Sequence, residues 1–390
     1  MSIVWAPFQS SRLVMGTIGI TAASGGLFGL AVVLPFVVHE FDVSPAIVAL
    51  VMPAIYIGCF STSVAGGKAA DRWGGARVSA LGLVIMSAGV GVASQAGMMA
   101  VYLAGGLITG IGYGVVNPST SVMVDPGSGG GRGMLLGVKQ AGVTLGGALS
   151  GLLLPVFAMR VGWAVALLGA AVLQMVVGVG ILAGPRVSLA GRSRALGEPA
   201  EGYRLRPNPG SLYGLTMAGA QITCVGLLVV YLTQDVGLSA VAAGFVFGSV
   251  LWVAVVARIV WGVVSDRRPH NRSFPLQMCG ALGVLGFAAL AVPRPAFVAI
   301  AALLIGGGAA AWNGAYLAAV IASADLGEGA AVGRALLLVN LGCIVGPLVA
   351  SAILVSTDSW VLLWLAMAAV QGLGLIAVTR ATSLSSPALV

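Results

Sequence analysis

The sequence predicts an all-α membrane protein in which twelve transmembrane helices form two similar six-helix bundles. Three observations lead to this prediction: an apolar composition, a succession of apolar runs of helix length, and an internal repeat. Of the 390 residues, 59% are hydrophobic and only 8% are charged, whereas about 25% are charged in typical soluble domains. The mean hydropathy is +1.05. Such a chain has too few charged side chains to cover a water-soluble domain of this size.

The apolar runs are near 20 residues long, which is the length of helix that crosses about 30 Å of hydrocarbon. We number the predicted spans one to twelve: 13–37, 45–66, 77–94, 98–121, 134–158, 162–184, 211–233, 240–264, 275–293, 296–321, 335–355 and 360–379. The only long polar stretch, residues 185–210, separates span six from span seven. It is therefore predicted to be a cytoplasmic linker between an N-terminal bundle at 1–184 and a C-terminal bundle at 211–390.

The positive charges between the spans predict the orientation. If the N-terminus is cytoplasmic, nearly every Lys and Arg outside the spans falls on the cytoplasmic side, and the external loops keep only Arg160 and Arg294. Cytoplasmic loops of membrane proteins carry this excess of positive charge. Both termini are thus expected in the cytoplasm. The net charge of +8 then reflects topology, and we expect no nucleic-acid partner.

The two halves repeat each other. The pattern GxxxDR follows span two as Gly67, Asp71 and Arg72, and it follows span eight as Gly262, Asp266 and Arg267. Asn117 on span four matches Asn313 on span ten at an offset of 196 residues. A parallel duplication of six helices, related by an axis along the membrane normal, is one of the architectures of secondary transporters.

The charges of the GxxxDR patterns are predicted to form a gate at the cytoplasmic side. Glycine permits a close approach of two helix ends, and an aspartate near the N-terminus of a neighbouring helix gains from the helix dipole. Contacts of this kind would hold the cytoplasmic side closed. The alternative is that Asp71, Arg72 and Arg267 are ordinary charges at the membrane interface.

Two basic residues, Lys139 in span five and Arg258 in span eight, lie inside apolar stretches, and no Asp or Glu lies inside any predicted span. A charge near the bilayer centre costs roughly 2.5–3.5 kcal/mol on insertion scales. Each cation is about 10 Å from the cytoplasmic end of its helix, at 1.5 Å per residue. We expect both to face a cavity and to bind an anion. The alternative is that their long side chains extend to the cytoplasmic headgroups.

Further polar residues inside the spans are candidates to complete a binding pocket: Tyr113, Asn117, Gln140, Gln221, Trp312 and Asn313. The equivalent positions of Asn117 and Asn313 predict that both face the interior. As an alternative, these asparagines join helices by hydrogen bonds worth about 0.6 kcal/mol each. For Trp312, the alternative to a place in the pocket is that it packs between helices or faces lipid.

The sequence indicates no enzyme. His39 and His270, its two histidines, lie in predicted loops, and the chain carries no HExxH, nucleophile-elbow or Walker pattern. The four cysteines have no CxxC spacing, so we expect no metal, no disulfide framework and no cofactor. A gradient must then supply the energy. Without an intramembrane carboxylate, three modes remain: anion exchange, uniport, or symport in which a proton travels with the substrate.

The GxxxDR loops resemble the GxxxDRxGRR signature of the major facilitator superfamily, and the resemblance extends over essentially the whole chain. Gly67, Asp71, Arg72 and Gly74 match that signature, while Gly75 and Ala76 replace its last basic pair. The resemblance implies the major facilitator fold, with rocker-switch transport by a monomer in the lipid bilayer.

Within the superfamily, the spacing from Arg258 to Gly262 resembles the RxxxG of monocarboxylate transporters and oxalate–formate exchangers, in which the arginine is taken to bind the substrate carboxylate. The stretch around Lys139 is similar to bacterial carriers related to cyanate permeases. Two departures stand out: the oxalate exchangers carry their second cation on helix eleven, and Ala254 replaces an acidic residue that is frequent in the monocarboxylate group.

This resemblance implies a carrier of a small organic anion, a monocarboxylate being the expected substrate, in the bacterial inner membrane. A drug or metabolite exporter of the same fold is the alternative, because Gly342 and Gly346 give span eleven a glycine-rich spacing similar to that of exporter families. A non-transporting sensor or a lipid flippase is a third class, for which the sequence offers no dedicated domain.

Overall fold

A computed structural model describes residues 11–123, 132–183, 209–268, 271–322 and 328–383, and their regular structure is entirely helical. The helices are Ser11–Val32, Leu34–Phe41, Pro45–Val48, Val51–Trp73, Gly75–Ser94, Met99–Val122, Arg132–Val161, Trp163–Ala183, Pro209–Gln234, Ala240–Arg267, Ser273–Leu290, Pro295–Gly307, Asn313–Ala322, Glu328–Thr357 and Trp360–Ser383. They make twelve spans in the predicted order. Most of the predicted linker, residues 185–208, lies outside the described residues.

The helices fit a bilayer in length and composition. Among the described residues, eleven helices are long and apolar enough to cross a membrane by themselves. The remaining span, span ten, is divided into two shorter helices, of which Pro295–Gly307 is one. Large apolar side chains such as Val176, Leu303 and Val355 are exposed on the outside of the bundle, where hydrocarbon is their favourable environment. The protein is therefore a multi-pass membrane protein.

Three spans consist of two helical pieces. Span one is interrupted at Val33, two residues before Pro35, and span two begins with the short helix Pro45–Val48. Span ten, predicted to be continuous from 296 to 321, breaks after Gly307 and resumes at Asn313. The prediction of a continuous helix there was wrong. Span ten is apolar, as predicted, but glycine has a low helix propensity, and the three successive glycines Gly306–Gly308 favour a break at this point.

Glycines set the distances between helices inside each half. Span four packs between spans two and three: a Cβ on Gly110 would overlap the carbonyl oxygen of Ile55, and a Cβ on Gly112 would lie 2.6 Å from the carbonyl oxygen of Gly82. Small residues allow such backbone contact where no hydrophobic driving force exists between helices in lipid.

Spans five and eight form a long contact between the two halves. A Cβ on Gly151 would lie 2.8 Å from the carbonyl oxygen of Gly244, and one on Gly248 would lie 3.1 Å from that of Ala148. Further towards the start of span five, a Cβ on Gly137 would lie 3.1 Å from the carbonyl oxygen of Arg258. Backbone contact therefore continues between the halves from the end of span five to the level of the buried arginine.

The helix directions give the bundle two chemically different ends. We call the basic end the one where Arg72, Arg77, Arg267, Arg268 and Arg272 lie, and the acidic end the one where Glu40, Asp42, Asp235 and Asp358 lie. At the acidic end the halves are joined by a hydrogen bond of 2.9 Å from the Ser351 hydroxyl to the carbonyl oxygen of Ala46.

We expect Gly110→Ala to destabilise the fold by about 1–3 kcal/mol, the usual cost of overpacking, because its Cβ overlaps the backbone of span two. Gly91→Ala is the matched control, since an added Cβ at Gly91 in span three meets no atom within 4 Å. That substitution should be neutral or should stabilise by about 0.5–1 kcal/mol. Thermal unfolding in detergent, followed by size-exclusion chromatography, measures both. Identical melting curves for the two variants would contradict this packing.

Candidate substrate-binding site

Lys139 and Arg258 lie together at the contact between the halves. Lys139 is 0% exposed and Arg258 is 2% exposed. The Arg258 guanidinium donates to the backbone of Gln140, the residue that follows Lys139 in span five. Both charged groups therefore end inside the protein, and neither extends to the basic end.

The Lys139 ammonium is held by one residue of span four. Its Nζ donates to Oδ1 of Asn117 over 2.6 Å and to the carbonyl oxygen of the same residue over 3.1 Å. Span four ends at Val122, so Asn117 and Lys139 are at a similar depth. This pair lies wholly within the N-terminal half.

Arg258 makes three hydrogen bonds to three different residues. Its Nη2 donates to Oδ1 of Asn313 over 2.8 Å and its Nε donates to the carbonyl oxygen of Ala310 over 2.9 Å, both in the C-terminal half. Its Nη1 donates to the carbonyl oxygen of Gln140 over 2.7 Å. This last bond crosses between the halves, so the guanidinium joins them at the centre of the molecule.

The two cations are each matched with one asparagine at repeat-equivalent positions. Asn117 on span four accepts from Lys139, and Asn313 on span ten accepts from Arg258. The cations themselves are not repeat-related, since one is on span five and the other on span eight. Each half of the transmembrane bundle therefore contributes one cation with one amide oxygen.

Every acceptor of these two cations is uncharged. Hydrogen bonds to charged groups contribute about 1.5–3 kcal/mol each, whereas moving an ion out of water costs several kcal/mol even after relaxation. The described acidic side chains, such as Glu40, Asp235 and Asp266, lie at the two ends of the bundle. The two basic groups therefore have no negative partner among the described residues.

The break in span ten supplies an acceptor that the sequence did not reveal. Gly308 has ψ −81°, and the Ala310 amide donates to the carbonyl oxygen of Ile305, five residues earlier. The interruption leaves carbonyl groups for side chains of span eight: Ala310 accepts from Arg258 and Gly307 accepts from the Trp261 indole over 2.8 Å. Irregular backbone at membrane depth is tolerated when buried in protein in this way. The run of three glycines was the one signal for it.

The other predicted pocket residues divide into two groups. Tyr113 is buried within electrostatic range of Arg258, as is Tyr56 of span two. Gln140 contributes its carbonyl oxygen. Gln221 of span seven instead accepts a hydrogen bond of 2.9 Å from Trp312. Trp312 is fully buried and packs edge-on against Tyr213 and Tyr316, so the structure places it between helices, away from lipid.

One of the predicted gating residues, Asp266, forms a contact between the halves. At the basic end, Oδ2 of Asp266 accepts a hydrogen bond of 3.2 Å from the Met134 amide, in the first turn of span five. This contact joins the halves and places a negative charge at a helix N-terminus, as expected. Gly262 is buried, whereas Arg72 and Arg267 are exposed. The side chain of Asp71 lies outside the described residues.

The expectation that Gly67 allows a close approach of two helices was wrong. A Cβ there would meet only the Cβ of Pro118, at an ordinary 3.8 Å. The close contact falls on the preceding residue, where a Cβ on Gly66 would lie 2.8 Å from Cα of Val115. The rotation of span two about its own axis turns Gly66, and not Gly67, towards span four.

A separate apolar cavity of about 400 Å³ opens at the acidic end. It is lined by Pro35, Phe36, His39, Glu40, Trp163 and Ala240. Neither buried cation is among its lining residues, so it is distinct from the site at the centre of the bundle.

Twelve spans in two halves, with buried polar groups between them, define a membrane transporter. The chain belongs to the Major Facilitator Superfamily, which it matches over residues 16–328 and again over residues 212–388. No curated protein sequence matches it.

Solved structures with the same fold include a mutant of the nucleoside transporter NupG, with 15% sequence identity and a TM-score of 0.75, covering 96% of this chain and 100% of that one. A bacterial homologue of the human lysosomal transporter Spinster is similar in two inward-facing forms. The unoccupied form has 16% identity, a TM-score of 0.70 and 96% coverage of both chains. The occupied form has 15% identity, a TM-score of 0.72 and 97% coverage of both.

We expect Asp266→Asn to weaken the contact at the basic end, because it removes the negative charge from the N-terminus of span five. Such charges contribute about 0.3–1 kcal/mol, so the population open at the basic end should rise up to about fivefold. A cysteine introduced at the buried Ser265 reports the opening through its rate of alkylation.

Asp358→Asn at the acidic end is the control and should leave that rate unchanged. If Asp266→Asn abolished substrate binding while the alkylation rate stayed the same, the carboxylate would belong to the binding site and not to a gate.

Proposed function

We propose that this transporter carries a small organic anion, with a monocarboxylate as its expected cargo, across the bacterial inner membrane by alternating access. The observation that carries the proposal is the pair of buried cations, Lys139 and Arg258, one from each half and each hydrogen-bonded only to uncharged acceptors. A bound anion would supply the missing negative charge.

A carboxylate fits the donors of Arg258. Its Nη1 and Nη2 both donate to oxygens, those of Gln140 and Asn313, and the two oxygens of a carboxylate can replace this pair in a bidentate contact. Lys139 adds a compact positive charge without a fixed geometry. The amide groups of Asn117, Gln140 and Asn313 and the phenol of Tyr113 provide neutral polar contacts around the anion.

The orientation and mode of transport follow from the distribution of charges. The basic end is proposed to be cytoplasmic by the positive-inside rule, which puts both termini in the cytoplasm. The described carboxylates, such as Glu40 and Asp266, lie at the ends of the spans, away from the buried cations. We therefore propose one of three modes for a monomer in the bilayer: anion exchange, uniport, or symport with a proton carried by the substrate.

The exporter alternative has less support. Its glycine-rich spacing on span eleven has a packing role, because a Cβ on Gly342 would overlap the carbonyl oxygen of Leu215 in span seven, and one on Gly346 that of Gly219. The nucleoside transporter among the structural neighbours is too distant in sequence to suggest that cargo. We therefore propose the anion as substrate ahead of a drug or a nucleoside.

A thermal-shift panel separates these substrates. Small carboxylates such as lactate, pyruvate and formate should raise the melting temperature of the purified protein, whereas neutral nucleosides and cationic drugs should not. Stabilisation by cationic drugs alone would favour the exporter.

We expect Arg258→Lys to lower the uptake of the stabilising carboxylate into proteoliposomes at least tenfold, with near-normal expression. The positive charge is kept, but the planar pair of donors is lost. Arg294→Lys, in the loop at the acidic end, is the matched control and should transport normally. Uptake at the wild-type rate by the Arg258 variant would remove this arginine from the binding site.

A further inference from the structure

The structure shows the halves in contact on both sides of the buried cations. Ser351 bonds to Ala46 at the acidic end and Asp266 bonds to Met134 at the basic end. We call this the closed arrangement. An alternating-access transporter must pass through such an arrangement each time it changes from one open state to the other.

The closed arrangement is where the two cations are hardest to accommodate. In either open state, water reaches the centre and solvates the charged groups, whereas here Lys139 and Arg258 are almost completely buried. A buried ion has to be hydrogen-bonded to be tolerated. The identity of its partners therefore decides what must be present for the protein to close.

In this arrangement the chain itself provides the partners. Asn117 gives Lys139 an amide oxygen at 2.6 Å, and Asn313 gives Arg258 one at 2.8 Å. These are the distances of charge-assisted hydrogen bonds to a carboxylate. We propose that the two asparagines take the place of the cargo's carboxylate oxygens, so that the protein closes and changes sides without an anion bound.

The location of the asparagines supports this role. Asn117 and Lys139 belong to the N-terminal half, and Asn313 and Arg258 to the C-terminal half. Each amide therefore moves with its cation when the halves rotate. Among the described hydrogen bonds of the two cations, the one from Arg258 to the Gln140 carbonyl connects the two halves and must break on opening. The two asparagines therefore stay beside their cations while the halves of the empty protein rotate.

The consequence, which rests on the proposed function, is net transport. A carrier whose empty form cannot close can only exchange one anion for another. Because Asn117 and Asn313 accept from the two cations, we expect the protein to close without an anion, to move an anion in one direction and to return without one. Asn117 and Asn313 are positioning residues for this return step, and they act through the cations.

The return step is testable without knowing the cargo. In a background with Cys59, Cys224, Cys279 and Cys343 replaced by alanine, Val48→Cys reports opening at the acidic end and Ser265→Cys reports opening at the basic end, because both positions are buried in the closed arrangement. Each is alkylated by a membrane-impermeant maleimide in buffer without small carboxylates. Both cysteines should react in the otherwise wild-type protein, because the empty protein visits both open states.

The double substitution Asn117→Leu with Asn313→Leu should slow the alkylation of one reporter at least tenfold, because the empty protein then stays open on one side. Addition of 10–20 mM lactate, on the order of the concentrations that saturate carriers of moderate affinity, should restore the rate. Gln174→Leu is the control: it removes a buried amide that bonds to the carbonyl oxygens of Ala22 and Ala23 and should not affect either reporter. Equal reactivity of both reporters in the double variant would overturn the proposal.

A flux measurement on the unmodified chain gives an independent result. Proteoliposomes without internal anion should take up labelled lactate at a rate within a few-fold of that of vesicles preloaded with lactate. Uptake that requires internal lactate would overturn the return step and leave the proposed function intact. Absence of lactate uptake in both preparations would instead count against lactate as cargo, and the alkylation rates would still decide whether the empty protein changes sides.

Discussion

The burial of two basic side chains that have no negative partner in the described part of the chain is the constraint on which the centre of this transporter depends. Lys139 and Arg258 are removed from water between the halves, and their hydrogen bonds to amide and carbonyl oxygens satisfy their donors without cancelling their charge. The surrounding features all serve this arrangement: an asparagine in each half, a carbonyl freed by a helix break, and a close approach of spans five and eight. The proposal of an anionic cargo rests on this electrostatic imbalance, before any specific fit to a cargo is considered.

Close backbone packing brings the charged groups to the same place. Because glycines such as Gly151 and Gly244 let spans five and eight touch along their length, the guanidinium of one half reaches the backbone of the other with little intervening space. A larger side chain at these positions would separate the halves, and Arg258 would lose Gln140 as a partner. The high glycine content, 59 residues, thus bears directly on the electrostatics of the site as well as on helix association.

Much of the fold follows from the sequence, because hydrophobic runs and positive loops are strong signals in a membrane protein. The twelve spans are found where the apolar runs predicted them. Lys139 and Arg258 were expected to face a cavity, whereas the structure buries both against asparagine and backbone oxygens. The partners of the cations were less predictable. Asn117 and Asn313 were singled out by the repeat, but Ala310 presents a backbone group that no side-chain pattern encodes. Gly66 and Gly67 are neighbours in sequence, and the rotation of span two about its own axis decides which of them faces span four. Hydropathy alone does not determine that rotation.

The interruption of span ten makes the two halves mechanically unequal. Span four, its counterpart, is one continuous helix from Met99 to Val122, whereas the residues between Gly307 and Asn313 have exchanged helical hydrogen bonds for contacts with span eight. A continuous helix resists bending, and an interrupted one bends at its break. The C-terminal half therefore contains a joint beside Arg258 that the equivalent helix of the N-terminal half lacks. The two copies of the six-helix unit have in this way come to differ in where they can bend.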